Sequence, residues 1–267
     1  MRFRIHDFQK IARPAVRSPA PRPSVVQVWF PERKLSLAYY NARFELHPGD
    51  LVHVSGKLEG LCGQVTDVNY NFRIRLSDYQ RVVAVVDTSV SGQFFLASSH
   101  LVSFDPEALP RSKVSLWFQP PQGSEEEYVS GCNETAYPLD RPETWDFDSG
   151  VATRGCAYYE ENKVRYLCLD GSRGYALVEG TRPYEVTFDC HDGEVRHLTC
   201  PCYCGYPCKH TFAVLMQLRE TLTWIQSRQP EAYARSGYFA AVCRETLSRY
   251  AVDGKESGML TLSIPPR

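Results

Sequence analysis

Hydrophobic and polar positions alternate along this chain with two different periods, and the change between them falls near residue 208. Val25, Val26, Val28 and Phe30 open a first short apolar run, Leu51, Val52 and Val54 follow the Pro48-Gly49-Asp50 turn, and Val65 and Val68 follow a turn between Gly60 and Gly63. Phe72, Ile74 and Leu76 then alternate with Arg73, Arg75 and Ser77. That is the period of a strand with one buried and one wet face. Residues 82–86 are apolar throughout, which predicts a strand buried on both faces. Short strands joined by Gly-rich turns predict a small β-barrel over residues 25–108.

Residues 109–150 contain Pro110, Pro120, Pro121, Pro138 and Pro142, the acidic run Glu125-Glu126-Glu127, and little periodicity. They read as a linker with one strand at residues 114–118. Strand pattern returns over 151–199. Apolar stretches at 155–159, 164–169, 175–178, 184–188 and 195–199 are punctuated by turns at Asp170-Gly171, Gly180 and His191-Asp192-Gly193, which predicts an antiparallel meander. The period then changes. Val214, Leu215, Leu218, Leu222 and Ile225 recur at helical spacing. A second helix is expected over about 231–250, with Phe239, Val242, Thr246 and Tyr250 on one face, and residues 251–267 read as a tail. The fold class expected is α+β: a barrel, a meander ending in a metal-bound turn, and a C-terminal helical segment.

Between meander and helix the chain reads Cys200-Pro201-Cys202-Tyr203-Cys204-Gly205-Tyr206-Pro207-Cys208-Lys209-His210. Four of the ten cysteines crowd into this stretch while the others scatter. A structural zinc ion takes four tetrahedral thiolate or imidazole ligands with no open position. Cys200 and Cys202 at the end of an extended segment can bend around one ion, and the Gly205-Pro207 loop turns the chain back. Cys208 must then lie just before the helix and His210 in its first turn, because residues i and i+2 inside a helix do not share a face. Three thiolates, a neutral imidazole and a divalent ion sum to 3(−1) + 2 = −1, which Lys209 offsets locally. Cys204 leaves a second set open, Cys202, Cys204, Cys208 and His210, with a tighter loop. The competing reading is a cluster of buried or disulfide-forming cysteines beside an unrelated histidine.

The spacing Cys-x-Cys-x5-Cys-x-His, followed by Thr211-Phe212-Ala213-Val214-Leu215, resembles the SWIM zinc finger. The resemblance extends upstream through Arg154-Gly155, Tyr158, Val164, Gly180-Thr181-Arg182-Pro183-Tyr184 and Val186, covering roughly residues 150–225. It implies a zinc-stabilised module of the kind found beside helicase-type ATPases, where it is thought to bind DNA or protein. The additional thiol Cys204 departs from the pattern. A lesser likeness joins the N-terminal strands, through Val26-x-Val28-x-Phe30, Tyr39-Tyr40, Leu46-x-Pro48-Gly49-Asp50 and Gly63-x-Val65, to small SH3-like or OB-like nucleic-acid-binding barrels, including the one at the front of primosomal DNA helicases.

Composition narrows the rest. The 267 residues are 43% hydrophobic and 23% charged, an ordinary globular mixture, with a formal net charge of −1. A dedicated duplex binder usually carries a basic excess, so nucleic-acid contact here has to come from local patches. One candidate is the arm of residues 1–24, where Arg2, Arg4, Lys10, Arg13, Arg17 and Arg22 face only Asp7. A second is Arg73, Arg75 and Arg81, interleaved with Tyr70, Phe72 and Tyr79 in a pattern suited to phosphate contact and base stacking. Arg182 and Lys209 are the cations best placed beside the finger. No P-loop, dinucleotide fingerprint or nucleophile elbow occurs, so a non-enzymatic protein is expected. Neither a secretory h-region nor a membrane-length apolar run is present, and a cytoplasmic, reducing location is expected. The expected partners are nucleic acid, DNA first, or a protein such as a helicase-type ATPase.

Overall fold

The structure, a computed structural model, describes residues 21–121, 135–203, 207–252 and 260–263. It is α+β, with two sheets. Five antiparallel strands make the first: β1 (Ser24–Phe30), β2 (Leu35–Asn41), β3 (Leu51–Val54), β4 (Cys62–Asn69) and β5 (Val82–Val86), in the order β2-β1-β4-β3-β5. The two outer strands approach each other where Tyr40 N donates to the Gln80 carbonyl at 2.9 Å and Tyr40 bridges Arg81. Val26, Val28, Phe30, Val52, Val54 and Val65 fill its interior.

Two expectations for this half are corrected. Residues 70–75 form no strand. β4 already has β1 and β3 on its two sides, and the Asn69 side chain accepts the Asn71 amide at 2.8 Å, bending the chain away. Phe72, Ile74 and Leu76 are accordingly half-buried or exposed. β5 is buried on one face only: Val82, Ala84 and Val86 point inward while Val83 and Val85 stay half-exposed, as suits an outer strand.

The second sheet has nine strands. β6 (Gly92–Ala97) and β7 (His100–Ser103) belong to it rather than to the N-terminal sheet, contrary to the 25–108 boundary. Next come α1 (Arg111–Phe118), β8 (Tyr137–Pro138) and α2 (Ser149–Glu160). The meander follows as β9 (Val164–Asp170), β10 (Arg173–Glu179), β11 (Pro183–His191) and β12 (Glu194–Thr199). The chain continues through α3 (Lys209–Arg228), α4 (Pro230–Ser236), β13 (Tyr238–Cys243), α5 (Arg244–Leu247) and β14 (Leu260–Ser263). The strand order is β14-β6-β7-β13-β9-β10-β11-β12-β8. Both faces are covered. Leu167, Leu169, Ala176, Val178, Phe239 and Ala241 pack under α3, while Tyr166, Cys168, Tyr175, Leu177, Tyr238 and Val242 pack with Leu109, Val114 and Trp117.

The described part of 109–150 is no linker. Leu109, Trp117, Tyr137, Leu139 and Trp145 are buried, and β8 ends the large sheet. The strand expected at 114–118 is helix α1, whose buried residues Val114 and Trp117 lie one helical turn apart. The strand expected at 155–159 lies inside α2, started by Asp148, whose carboxylate accepts the Gly150 and Val151 amides. The helix expected over 231–250 is interrupted. Gly237 takes the left-handed conformation (φ 62°) that ends α4, and β13 then runs between β7 and β9 with all six residues buried. The two sheets meet at α1: His53 Nε2 of β3 bonds the Leu116 carbonyl at 2.7 Å, and Trp117 Nε1 donates to the Asp87 carbonyl at 2.8 Å. Most of the basic arm (residues 1–20), the run Glu125–Glu127 and most of the 251–267 tail lie outside the described residues.

Candidate metal centre

Cys200 follows β12 directly, and Cys208 is the N-cap of α3. Cap geometry accounts for the second placement. The Thr211 amide donates to the Cys208 side chain, while Thr211 Oγ1 accepts the Cys208 amide at 3.1 Å and donates to the Cys208 carbonyl at 2.7 Å. Cys208 Sγ therefore sits where the helix amides and dipole favour negative charge. His210, one residue into the helix, turns its Nδ1 toward the same space, 3.7 Å from Cys200 Sγ and 3.8 Å from Cys208 Sγ. Cys202 completes the group: one ligand atom from each of Cys200, Cys202, Cys208 and His210 lies within 4.8 Å of the others. These four form the only group of this kind among the described residues, and they are able to hold a metal ion. Cys204, the ligand of the alternative set, lies outside the described residues.

Cys200 and Cys208 lean on each other electrostatically. Cys208 is held well below the usual thiol range, first by the hydrogen bond from Cys200, then by His210 and the Thr211 amide against the cost of burial. Cys200, its partner, is pushed correspondingly up. Three cysteine sulfurs around one imidazole are the donor chemistry a soft or borderline cation takes.

Aromatic rings fix the imidazole. Tyr184 of β11 stacks on His210 with centroids 4.2 Å apart and planes 22° from parallel, and Tyr158 of α2 meets its edge at 5.4 Å. Gly180 makes room for this stack, since a Cβ there would come within 2.8 Å of the Tyr184 ring. Gly155 lets α2 approach α3, with a Cβ at that position 2.6 Å from the Phe212 ring. Trp145 and Phe147 meet Phe212 edge-on. The N-terminal end of α3 is thus tied into the core at Phe212, two residues beyond His210.

The sequence-predicted cations fall into two groups. Arg182, in the β10–β11 turn, donates to the Pro201 carbonyl at 3.2 Å, with its guanidinium 5.4 Å from the Tyr184 centroid and 5.8 Å from that of Tyr203. Tyr203 is 97% exposed. Lys209 Nζ lies 4.5 Å from the Tyr158 centroid. Arg73, Arg75 and Arg81 are exposed on the β4–β5 connection, with Arg81 6.0 Å from the Tyr40 centroid. Sequence reasoning missed the role of Thr211. The signal was present, since Cys208-x-x-Thr211 has the spacing of a reciprocal cap.

Among the described residues, no helix is long and apolar enough to cross a membrane. No family model matches this chain, and neither the curated proteins nor the solved structures contain a significant match.

Proposed function

We propose that this is a non-enzymatic accessory protein whose SWIM-type module is held by one zinc ion on Cys200, Cys202, Cys208 and His210 and which binds nucleic acid, DNA first. The observation that carries the metal is the pair of sulfur–nitrogen separations, 3.7 and 3.8 Å. Zn–S and Zn–N bonds of about 2.3 and 2.0–2.1 Å at a tetrahedral angle place S and N about 3.6 Å apart. Four protein ligands close the coordination sphere, and a catalytic zinc keeps one position for water or substrate. The five-stranded sheet, with its outer strands meeting at Tyr40 and Arg81, suits a small barrel of the nucleic-acid-binding kind.

Elemental analysis of the wild type and of Cys208→Ser tests the first half: one zinc per chain, lost in the variant, is expected. Binding to DNA and RNA titrated against salt tests the second. Affinity that falls steeply as salt rises supports the reading, because phosphate contacts release counterions. Absent or salt-insensitive binding removes it.

A second reading, a protein-interaction adaptor, is favoured by one feature. An open groove of about 380 Å³ beside the metal centre is lined by Phe118, Pro120, Pro183 and Pro201, with Arg182 at its edge. A partner that is recovered with the protein, survives nuclease treatment and is lost in Phe118→Ser would put this reading first.

A further inference from the structure

The two outer strands of the N-terminal sheet meet at a surface built of rings and guanidinium groups. Tyr40, on β2, is bridged to Arg81 and meets the Phe72 ring edge-on at 6.2 Å. Arg81 lies over the Tyr40 ring at 6.0 Å, and Arg22 lies over Tyr70 at 4.8 Å. Tyr70 is 38% exposed, an unusual place for a large ring with no core to join. Over residues 40–45 and 69–81, Arg43, Arg73, Arg75 and Arg81 face only Glu45 and Asp78. Among the described residues none of these arginines, nor Arg22, is ion-paired with a carboxylate. The cations at the metal centre differ: Arg182 already bonds the Pro201 carbonyl and Lys209 lies over Tyr158.

We infer that this surface binds single-stranded nucleic acid, with bases stacking on Tyr40, Tyr70 and Phe72 and phosphates meeting Arg22, Arg73, Arg75 and Arg81. The inference rests on the nucleic-acid reading above and gives that reading a place and a strand state. Rings contribute to binding only when the faces of bases are open, and in a duplex those faces are covered by their neighbours. Duplex readers instead insert a helix or a two-stranded ribbon into the major groove. The cations here stand on a strand end and an irregular connection, and no helix lies on that connection beyond the 3-10 turn Leu76–Asp78. A formal net charge of −1 points the same way, since a ring surface adds affinity that does not depend on a large basic excess.

The test is fluorescence polarisation of the full-length protein with labelled oligothymidylate, oligouridylate of equal length, and a duplex. The expected result is single strands bound more tightly than duplex, the two single-stranded probes separating DNA from RNA. Tyr70→Ala should weaken binding about fivefold or more, and Tyr70→Trp should retain it, because any large ring stacks. Arg73→Glu with Arg75→Glu should lower the slope of log affinity against log salt by about 0.7 for each phosphate no longer neutralised. These three residues are exposed, so the variants keep the fold, and an unchanged melting curve checks it. Duplex bound as well as single strands, or wild-type affinity in both Tyr70→Ala and the double variant, overturns the inference. Loss of binding in Arg182→Ala alone would remove this surface and leave the nucleic-acid reading at the metal centre. Absence of binding to every probe would remove both.

Discussion

The five-stranded sheet and the Cys200–Cys208 connection hold their shape by different means. The five-stranded sheet encloses an apolar interior of its own, in which Val26, Val28, Phe30, Val52 and Val54 are fully buried. Among its described residues, the connection from Cys200 to Cys208 has no such interior. Pro201 and Tyr203 are exposed, Cys200 and Cys202 are half-buried, and Cys208 alone among the described residues of the connection is buried. Burying each large aliphatic side chain stabilises by about 1.5–3 kcal/mol, spread over many contacts. A metal centre concentrates an apparent contribution on the order of 10 kcal/mol in four side chains. The first kind of region should give way gradually to substitution and the second all at once. Cys208→Ser therefore has the largest expected effect: loss of the ion and of amide protection over residues 200–225, with the five-stranded sheet still protected. Hydrogen exchange of the variant measures this, and simultaneous loss of protection in both regions would break the comparison.

Next in size are two matched substitutions of glycine. A Cβ on Gly63 would lie 2.4 Å from Val28 Cγ1 and 2.7 Å from Phe30 Cε1. On Gly155 it would lie 2.6–2.7 Å from the Phe212 side chain. Overpacking of this kind costs about 1–3 kcal/mol. Both alanine variants should lower the denaturation midpoint of their own region. Only Gly155→Ala should also weaken the metal, because Phe212 lies two residues from His210 on the same helix. Competition with a chelator separates the two.

The five-stranded sheet is joined to α1 through His53, which gives a smaller, pH-dependent effect. Burial lowers its pKa, partly offset by the Leu116 and Leu61 carbonyls. A folded-state value below the unfolded value of about 6.5 means that the unfolded chain binds the extra proton. The contribution is present in full above that pH and is lost as pH falls through it. Each unit of depression amounts to about 1.4 kcal/mol on full acidification. His100 is shifted the same way by burial, so the wild type should lose stability from both below about pH 6.5. His53→Gln, which keeps a donor for the Leu116 carbonyl, should be less acid-sensitive in thermal melts. An unchanged pH profile would show that the junction does not discriminate against the proton.

The Cys/His group was legible in the sequence because such a loop is local: Cys200, Cys202, Cys208 and His210 lie within eleven residues. The meander was legible for a similar reason, since turns at Asp170-Gly171 and Asp192-Gly193 separate its strands. What was misread depends on distant partners. β13, Tyr-Phe-Ala-Ala-Val-Cys, is buried on both faces, so it shows no period of two, and its neighbours β7 and β9 lie far off in sequence. β6 and β7 look like continuations of the first sheet until β13 draws β7 into the second. Arg165 is passed over in the register between β9 and β10, so Val164 faces the α3 side although Tyr166 faces the other. Nothing in the local pattern marks such a bulge. The Tyr184–His210 stack likewise joins residues 26 positions apart and depends on the absence of a side chain at Gly180.

The smallest expected effect is that of Arg182→Ala. Its guanidinium is exposed, so its contacts with the Tyr184 and Tyr203 rings are worth about 0.5–1 kcal/mol. Its hydrogen bond to the Pro201 carbonyl holds the chain between Cys200 and Cys202. A change of this size should lower metal affinity a few-fold and leave the unfolding midpoint of the five-stranded sheet where it was. Charge adds a separate effect, because three thiolates and a divalent ion leave the centre at about −1 and the lost cation no longer offsets it. The two effects differ in their response to salt. If charge dominates, the deficit of the variant should shrink as ionic strength rises, since exposed charges are screened over about 10 Å at 0.1 M salt. If the hydrogen bond dominates, the deficit should persist at every salt concentration. Chelator competition at low and high salt therefore shows whether Arg182 serves the centre as a countercharge or as a brace for its loop.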